Sequence, residues 1–70
     1  MFADVEILSN NTYKFSKFTY SIPTRLIQKI KIGSIIKVMF RNNIKHAVVI
    51  NTHNESPNIK LIKPIEKVTS

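Results

Sequence analysis

The sequence predicts an all-β fold, a small five- to six-stranded antiparallel β-barrel with one short helical turn. Segments of alternating or β-branched residues recur along the chain, and stretches rich in Asn, Ser and Pro separate them. Turns about every 8–12 residues are typical of small sandwiches and barrels. With 70 residues and no cysteine, the chain is predicted to be a single β-barrel domain over residues 1–70, without disulfides.

Phe2 to Leu8 is the first predicted strand, because its apolar residues alternate with acidic ones. A period of two indicates a strand with one buried face. The buried face is predicted to carry Ala3, Val5 and Ile7. Asp4 and Glu6 are predicted to lie on a solvated strand face that keeps a sheet edge soluble.

Tyr13 to Ile22 is the second predicted strand, rich in aromatic and other β-forming residues. Its aromatic residues change phase near Ser16 and Lys17, which predicts a bulge or bend there. Pro23 ends the strand, because proline cannot donate a hydrogen bond to a β-ladder.

Arg25 to Ile30 is predicted to form the short helical turn, with Thr24 as its cap. Leu26 and Ile30 are spaced as on one apolar side of a helix. Gly33, the only glycine of the chain, supplies the backbone freedom for the tight turn that follows.

The remaining strands are predicted from β-branched runs separated by polar turns. They are Ser34–Phe40, Lys45–Asn51, and a final strand made of Ile59–Ile62 and Ile65–Val68. Arg41, Asn42 and Asn43 are predicted to turn the chain after the first of these strands. Pro64 marks a bulge or an edge within the last strand.

The chain is strongly basic, with 11 Lys and Arg against 4 Asp and Glu, a net charge of +7 and a pI near 10.1. In so small a domain this excess favours a polyanionic partner, most often nucleic acid, over a merely solvated surface. No apolar run approaches the roughly 18 residues that span a bilayer, so no membrane partner is predicted. The first residues lack the basic region of a signal peptide, and a cytoplasmic location is expected.

The sequence lacks the residue constellations of catalytic and metal sites, so no enzyme activity, metal or cofactor is predicted. A single glycine cannot build a phosphate-cradling loop. His46 and His53 have no acidic or cysteine companion at ligand spacing, whereas a zinc site needs three or four ligands. His46 is instead predicted to lie on a basic surface beside Lys45 and Arg41.

Basic residues are interleaved with aromatic ones in two segments, a pattern typical of nucleic-acid-binding surfaces. One segment contains Lys14, Phe15, Lys17, Phe18 and Tyr20, and the other contains Lys37, Phe40 and Arg41. Aromatic rings stack on unpaired bases, and Lys or Arg binds the phosphates. A small barrel needs most of its aromatic side chains in the core, so only about one or two of these rings are expected to be free.

The order of the motifs resembles that of a known family. The order is an aromatic–x–Tyr–x–x–Pro strand end, a helical turn, a glycine before a basic strand ending in Phe, a hydrophobic strand, and a Lys-Pro-Ile segment. In this chain these are Phe18–Pro23, Leu26 with Ile30, Gly33–Phe40, Ala47–Ile50 and Lys63–Ile65. Over essentially its whole length the chain resembles the N-terminal 3′-end DNA-binding domain of primosomal protein N′, the PriA-type replication-restart helicase.

The resemblance implies a β-barrel module that recognises the 3′ end of the nascent leading strand at stalled replication forks. The DNA-binding residues that it implies are Phe18, Thr19, Tyr20, Phe40, Arg41 and Lys63. A terminal base would stack on an aromatic ring, the 3′-hydroxyl would bond to a polar partner, and a phosphate would bind a cation. The implied partners are fork DNA, the remaining helicase domains and other primosome proteins. The helicase motor and the zinc-binding insertion of the family are not in this chain, so no ATPase activity is expected of it.

Three positions depart from the family pattern. Thr19 stands where the family often has an acid that accepts a hydrogen bond from the 3′-hydroxyl. Arg41 stands where a glycine often lets a nucleotide approach the backbone, and Ala47 replaces a further glycine. Arg41 is expected either to block that approach or to replace it with a phosphate contact.

Two other functions stay open from the residues alone. A general RNA- or nucleic-acid-binding barrel would hold phosphates with Lys29, Lys31, Lys37 and Arg41 and would be indifferent to strand ends. A protein-interaction module would pair an exposed strand edge with a partner, and its positive charge would be incidental.

Overall fold

The computed structural model of the chain describes residues 1–8, 17–55 and 62–69. Within these residues five strands and one short 3₁₀ helix follow one another. They are β1 (Phe2–Ile7), β2 (Lys17–Ser21), the 3₁₀ helix (Thr24–Leu26), β3 (Ile35–Phe40), β4 (Asn43–His53) and β5 (Ile65–Val68). The predicted all-β fold with one helical turn is confirmed.

The five strands form one antiparallel sheet in the order β2-β1-β4-β3-β5. Its two edge strands approach each other at Ser21, which forms a parallel bridge with Pro64 and donates its N–H to the Lys63 carbonyl over 3.0 Å. Among the described residues this contact stays a single bridge, since proline has no N–H to continue a ladder. The sheet is therefore not closed, and the word barrel describes it only loosely.

The inner face of the sheet carries the hydrophobic core, and the segment around the 3₁₀ helix covers it. The core consists of Ala3, Val5, Ile7, Tyr20, Ile22, Leu26, Ile30, Ile36, Val38, Ala47, Val49 and Ile65. Ala3, Val5 and Ile7 belong to this core, so the predicted buried face of β1 is confirmed. Because side chains alternate along a strand, the residues between these positions lie on the outer face of the sheet.

The helical turn is shorter than the sequence predicts. The Leu26 N–H donates to the Pro23 carbonyl over 2.8 Å, which closes a 3₁₀ turn directly after the proline. The predicted Thr24 cap is wrong, because Thr24 already lies inside the helix and no side chain caps it. No helix in the described part of the chain has the length and apolar character needed to cross a bilayer.

Gly33 supplies the tight turn that the sequence predicts, with a φ of +94°. This region of backbone space is open to glycine and strained for other residues. The Gly33 N–H donates to the Val49 carbonyl over 2.7 Å, and the Val49 N–H donates back to the Ser34 carbonyl over 2.9 Å. The turn thereby fixes the covering segment to β4.

Arg41 and Asn42 form a two-residue turn between β3 and β4. Their φ angles are +49° and +65°, the pattern of a type I′ hairpin turn, whose twist matches that of the flanking strands. Asparagine tolerates this conformation, whereas another L-residue such as arginine is strained there by roughly 1–2 kcal/mol. The turn is one residue shorter than predicted, because Asn43 already belongs to β4.

Parts of two predicted strands, residues 13–16 and 59–61, lie outside the described residues, and so does the predicted bulge at Ser16. Register shifts occur elsewhere in the sheet. One lies between Asp4 and Val5 of β1 against β4, and the other between Lys37 and Val38 of β3 against β5.

Candidate nucleic-acid interface

A cleft opens where the two edges of the sheet separate. β5 pairs with β3 only as far as Val38, so the end of β3 faces β2 with no described strand between them. The cleft has a volume of about 470 Å³. It is lined by Lys17, Phe18, Thr19, Tyr20, Met39, Phe40, Arg41 and Lys63. The incomplete closure of the sheet is therefore what creates the cleft.

The cleft brings together all six residues that the family resemblance implies for DNA binding, although they come from three separate segments. Two further lining residues, Lys17 and Met39, were not among them. The interleaved basic and aromatic pattern of the sequence already included Lys17. Nothing in the sequence singles out Met39. The geometry places these residues around one space, and their contact with DNA stays a prediction.

Two aromatic rings form one wall of the cleft. The centroids of Phe18 and Phe40 are 4.8 Å apart and their planes are tilted by 55°. Phe18 is 39% exposed and Phe40 is half-buried, whereas Tyr20 is 4% exposed and belongs to the core. The expectation that core packing takes most of these rings fits Tyr20, and Phe18 is the ring that offers a free surface for stacking.

Tyr20 joins the two sides of the cleft. Its ring packs in the core from β2, and its hydroxyl donates to the Met39 carbonyl on β3 over 3.0 Å. Burial raises the pKa of Tyr20, so the hydroxyl stays protonated and remains a donor at neutral pH. Tyr20 therefore positions the cleft, and its ring is not available to a base.

Two exposed cations from different segments of the chain, Arg41 and Lys63, are among the residues that line the cleft. The guanidinium carbon of Arg41 lies 5.2 Å from the centroid of the Phe40 ring, in a cation–π arrangement. Lys63 is exposed and immediately precedes the Ser21–Pro64 bridge. A guanidinium is planar, and the fixed arrangement of its N–H groups suits the oxygen atoms of a phosphate.

Thr19 reaches the cleft through its backbone. Its side chain points away from Phe18 and Tyr20, and its hydroxyl donates to Asp4 Oδ1 over 2.8 Å on the outer face. In an antiparallel pair, N–H and C=O groups point toward the partner strand at every second residue. Ser21 directs its N–H away from β1 toward Lys63, so Thr19, two residues earlier, also directs its backbone groups away from β1.

Asp4 is the centre of a polar cluster on the outer face, which sequence reasoning missed. Asp4 Oδ1 lies 3.0 Å from His53 Nε2 and accepts the Thr19 hydroxyl. Partial burial opposes ionisation, but the hydrogen bonds from Thr19 and His53 and the charge of His53 together lower the pKa of Asp4. Asp4 lies on the outer face, as the alternation predicts, and 34% of its side chain is exposed. The predicted role of this face in keeping a sheet edge soluble is wrong, because β1 lies between β2 and β4. Only the register of β1 with β2 and β4 reveals this contact, because the three residues are far apart in sequence.

The described residues contain no group of three or more His, Asp or Glu side chains that could hold a metal ion. Asp4 and His53 make a pair, and the third neighbour, Thr19, is a hydroxyl that donates to the carboxylate. The pair joins β1 to β4 and is a structural contact.

Comparison with known proteins gives one family. The sequence model of the 3′ DNA-binding domain of PriA matches residues 7–70. A search of the curated proteins gives no match, and a search of the solved structures gives none either. The match covers the strands that line the cleft and confirms the resemblance drawn from the motif order. The chain therefore belongs to the family of the PriA 3′ DNA-binding domain, a module that binds the 3′ end of DNA in replication restart.

Proposed function

We propose that the cleft binds the 3′-terminal nucleotide of the nascent leading strand at a stalled fork. The observation that supports this most directly is the placement of the implied residues, which all line one space at the open seam of the sheet. Aromatic and cationic side chains occur there together, as a base and its phosphate require.

The base stacks on the aromatic wall. Phe18 offers a partly exposed ring, and the Phe40 ring packs against it at a centroid distance of 4.8 Å. Stacking of this kind contributes about 1–3 kcal/mol per base and works for all four bases. The site therefore recognises the end of a strand irrespective of its sequence.

The phosphates bind to cations of the cleft. Arg41 and Lys63 both line it, so they bind either one phosphate together or two successive phosphates. The Thr19 backbone, directed away from β1, hydrogen-bonds to the sugar or the 3′ terminus. This arrangement uses Arg41 as a phosphate ligand in the place of a glycine.

The size of the cleft favours a strand end over a continuous strand. A volume of about 470 Å³ lies within the range for small-molecule sites, which is about 300–1,000 Å³. One nucleotide fills such a space, whereas a strand that continues in both directions needs an open groove.

The larger protein is part of the same proposal. Residues 1–70 are the N-terminal DNA-binding domain of an ATP-dependent replication-restart helicase, located in the cytoplasm. Its partners are the remaining helicase domains and other primosome proteins. Membership of the PriA family supports this assignment.

The test compares DNA with and without a free end. Fluorescence anisotropy would measure binding to a labelled fork with a nascent 3′ end and to the same fork closed by a loop. We expect the open fork to bind more tightly. We expect Lys63→Ala to weaken binding to the open fork and to reduce its salt slope by about 0.9.

The matched control is Lys29→Ala, which removes the same charge from an exposed residue outside the cleft. It should preserve the preference for the open fork. Equal binding to both forks would overturn the proposal. Tight binding to RNA, whatever the structure of its ends, would instead support a general RNA-binding barrel. Negligible DNA binding at physiological salt would support a protein-interaction module.

A further inference from the structure

We propose that the outer face of the sheet carries a second DNA-binding surface, which binds the phosphate backbone of the duplex behind the 3′ end. The surface is a row of three residues, Lys67, Lys37 and His46, on the adjacent strands β5, β3 and β4. It is separate from the cleft, because none of the three residues lines it. Its role in binding the DNA behind the 3′ end rests on the proposed function, but its affinity for duplex DNA does not.

The register of the sheet places the three side chains in line. Lys37 lies directly opposite Lys67 of β5 and directly opposite His46 of β4. Ile36 and Val38, the neighbours of Lys37 on β3, are fully buried on the inner face, so Lys37 lies on the outer face with its two partners. Adjacent strands are about 4.8 Å apart, so the row extends about 10 Å across the sheet.

The row is unfavourable for the isolated domain. Like charges directly opposite each other on neighbouring strands destabilise a sheet. Within the described part of the chain, Lys37 and Lys67 form no ion pair, although Glu66 is adjacent to Lys67 in sequence. The ion pair between His53 and Asp4 lies elsewhere on this face and involves none of the three residues. A polyanion on this face would remove the repulsion.

The location of the row suits the DNA that leads out of the cleft. Lys37 lies two residues before Met39 on β3, a distance of about 7 Å along the strand. A duplex whose terminal nucleotide occupies the cleft is therefore close enough for its backbone to reach this face. Two contacts on one DNA molecule raise the overall affinity, because the second contact forms at a high effective concentration.

The test uses the double variant Lys37→Ala/Lys67→Ala and the control Lys29→Ala/Lys31→Ala. The control removes the same charge from exposed residues of the segment that covers the inner face. Each protein is titrated with a trinucleotide ending in a 3′-hydroxyl and with a longer duplex that carries the same end. Thermal melting of each variant confirms that it folds.

We expect the row variant to bind the duplex about tenfold more weakly, with a salt slope reduced by about 1.8, and to bind the trinucleotide as the wild type does. Its melting temperature should be unchanged or higher, since a repulsive pair is removed. The control should bind both ligands nearly as the wild type does.

An equal loss of duplex affinity in the row variant and in the control would overturn the proposal, because a general effect of lower net charge would explain both. Wild-type duplex binding by the row variant would also overturn it. A failure of the cleft proposal is distinct from these outcomes, because it appears as a trinucleotide affinity that does not respond to Lys63→Ala.

Discussion

The rings of Phe18 and Phe40 meet across the open seam of the sheet, with their centroids 4.8 Å apart. One ring belongs to β2 and the other ends β3, so the pair marks the place where two strands face each other without pairing. Phe18 is the more exposed of the two. The pair therefore makes a hydrophobic wall whose outer ring is open to a ligand.

Phe18→Ala should weaken binding to a 3′-ended DNA by about 1–3 kcal/mol, since the stacking surface for the terminal base is lost. Stability should fall little, because the ring is 39% exposed. Phe2→Ala is the matched control, because Phe2 stacks on His53 and lies outside the cleft. Anisotropy titrations of both variants check the prediction, and equal losses in the two would contradict it.

Arg41→Gly should raise the free energy of unfolding by up to about 1 kcal/mol, since glycine relieves the positive φ of +49°. The same change should weaken DNA binding and reduce the salt slope by about 0.9, because one phosphate ligand is removed. Urea unfolding and anisotropy titrations at several salt concentrations measure the two effects. Asn42→Gly changes the other residue of the turn and keeps the cation, so its DNA affinity should match that of the wild type.

Thr19→Val should destabilise the domain by up to about 1 kcal/mol, since Asp4 loses the hydroxyl that donates to it over 2.8 Å. DNA affinity should stay within about twofold, because we expect Thr19 to contact DNA through its backbone, which valine preserves. Thr19→Ser, which keeps a hydroxyl, is the control for stability. A large loss of 3′-end binding in Thr19→Val alone would show that the hydroxyl itself binds the DNA end.

The stability of the domain should fall in acid because of Asp4. Its pKa is lower in the folded state than the ordinary value of 3.8, so the carboxylate stabilises the fold above that value. This contribution is lost as the pH falls through the lowered pKa of the folded state. Urea unfolding between about pH 5 and pH 2 should show a decline that Asp4→Asn reduces. An equally steep decline in the variant would assign the effect to other groups.

The charge of the cleft predicts that it tolerates a terminal phosphate. Lys17, Arg41 and Lys63 line it, and none of the four acidic residues of the chain does. DNA ending in a 3′-phosphate should bind at least as tightly as DNA ending in a 3′-hydroxyl, because the added negative charge meets cations. Lys63→Ala should reduce any gain in affinity that the 3′-phosphate gives. A loss of more than about tenfold on phosphorylation would contradict the prediction.

Most of the fold can be predicted from local sequence patterns. The alternation in β1, the strand that ends at Pro23 and the turn at Gly33 each depend on a few neighbouring residues, and the structure shows all three. The length of the helix and of the β3–β4 turn was predicted less well. A 3₁₀ helix and a two-residue turn at Arg41 differ from longer alternatives by small energies, which local propensity does not resolve.

The candidate site can be predicted only in part from the sequence. The motif order indicated the aromatic and basic residues, and the structure places them around one cleft. The contacts of Asp4 with Thr19 and His53 depend on strand register, which sequence periodicity does not determine. The role of Tyr20 as a link across the cleft depends on which face of β2 is buried and on the approach of Met39 from β3.

The single bridge between Ser21 and Pro64 sets a limit on how stable this domain can become while it keeps its cleft. A substitution or insertion that extended the pairing of β5 with β3 beyond Val38 would add backbone hydrogen bonds and cover apolar surface. The free energy of unfolding would therefore rise. It would also fill the gap between β2 and the end of β3, which is where a nucleotide would lie. Selection for a tighter fold and selection for an end-binding site therefore act in opposite directions on the same few residues.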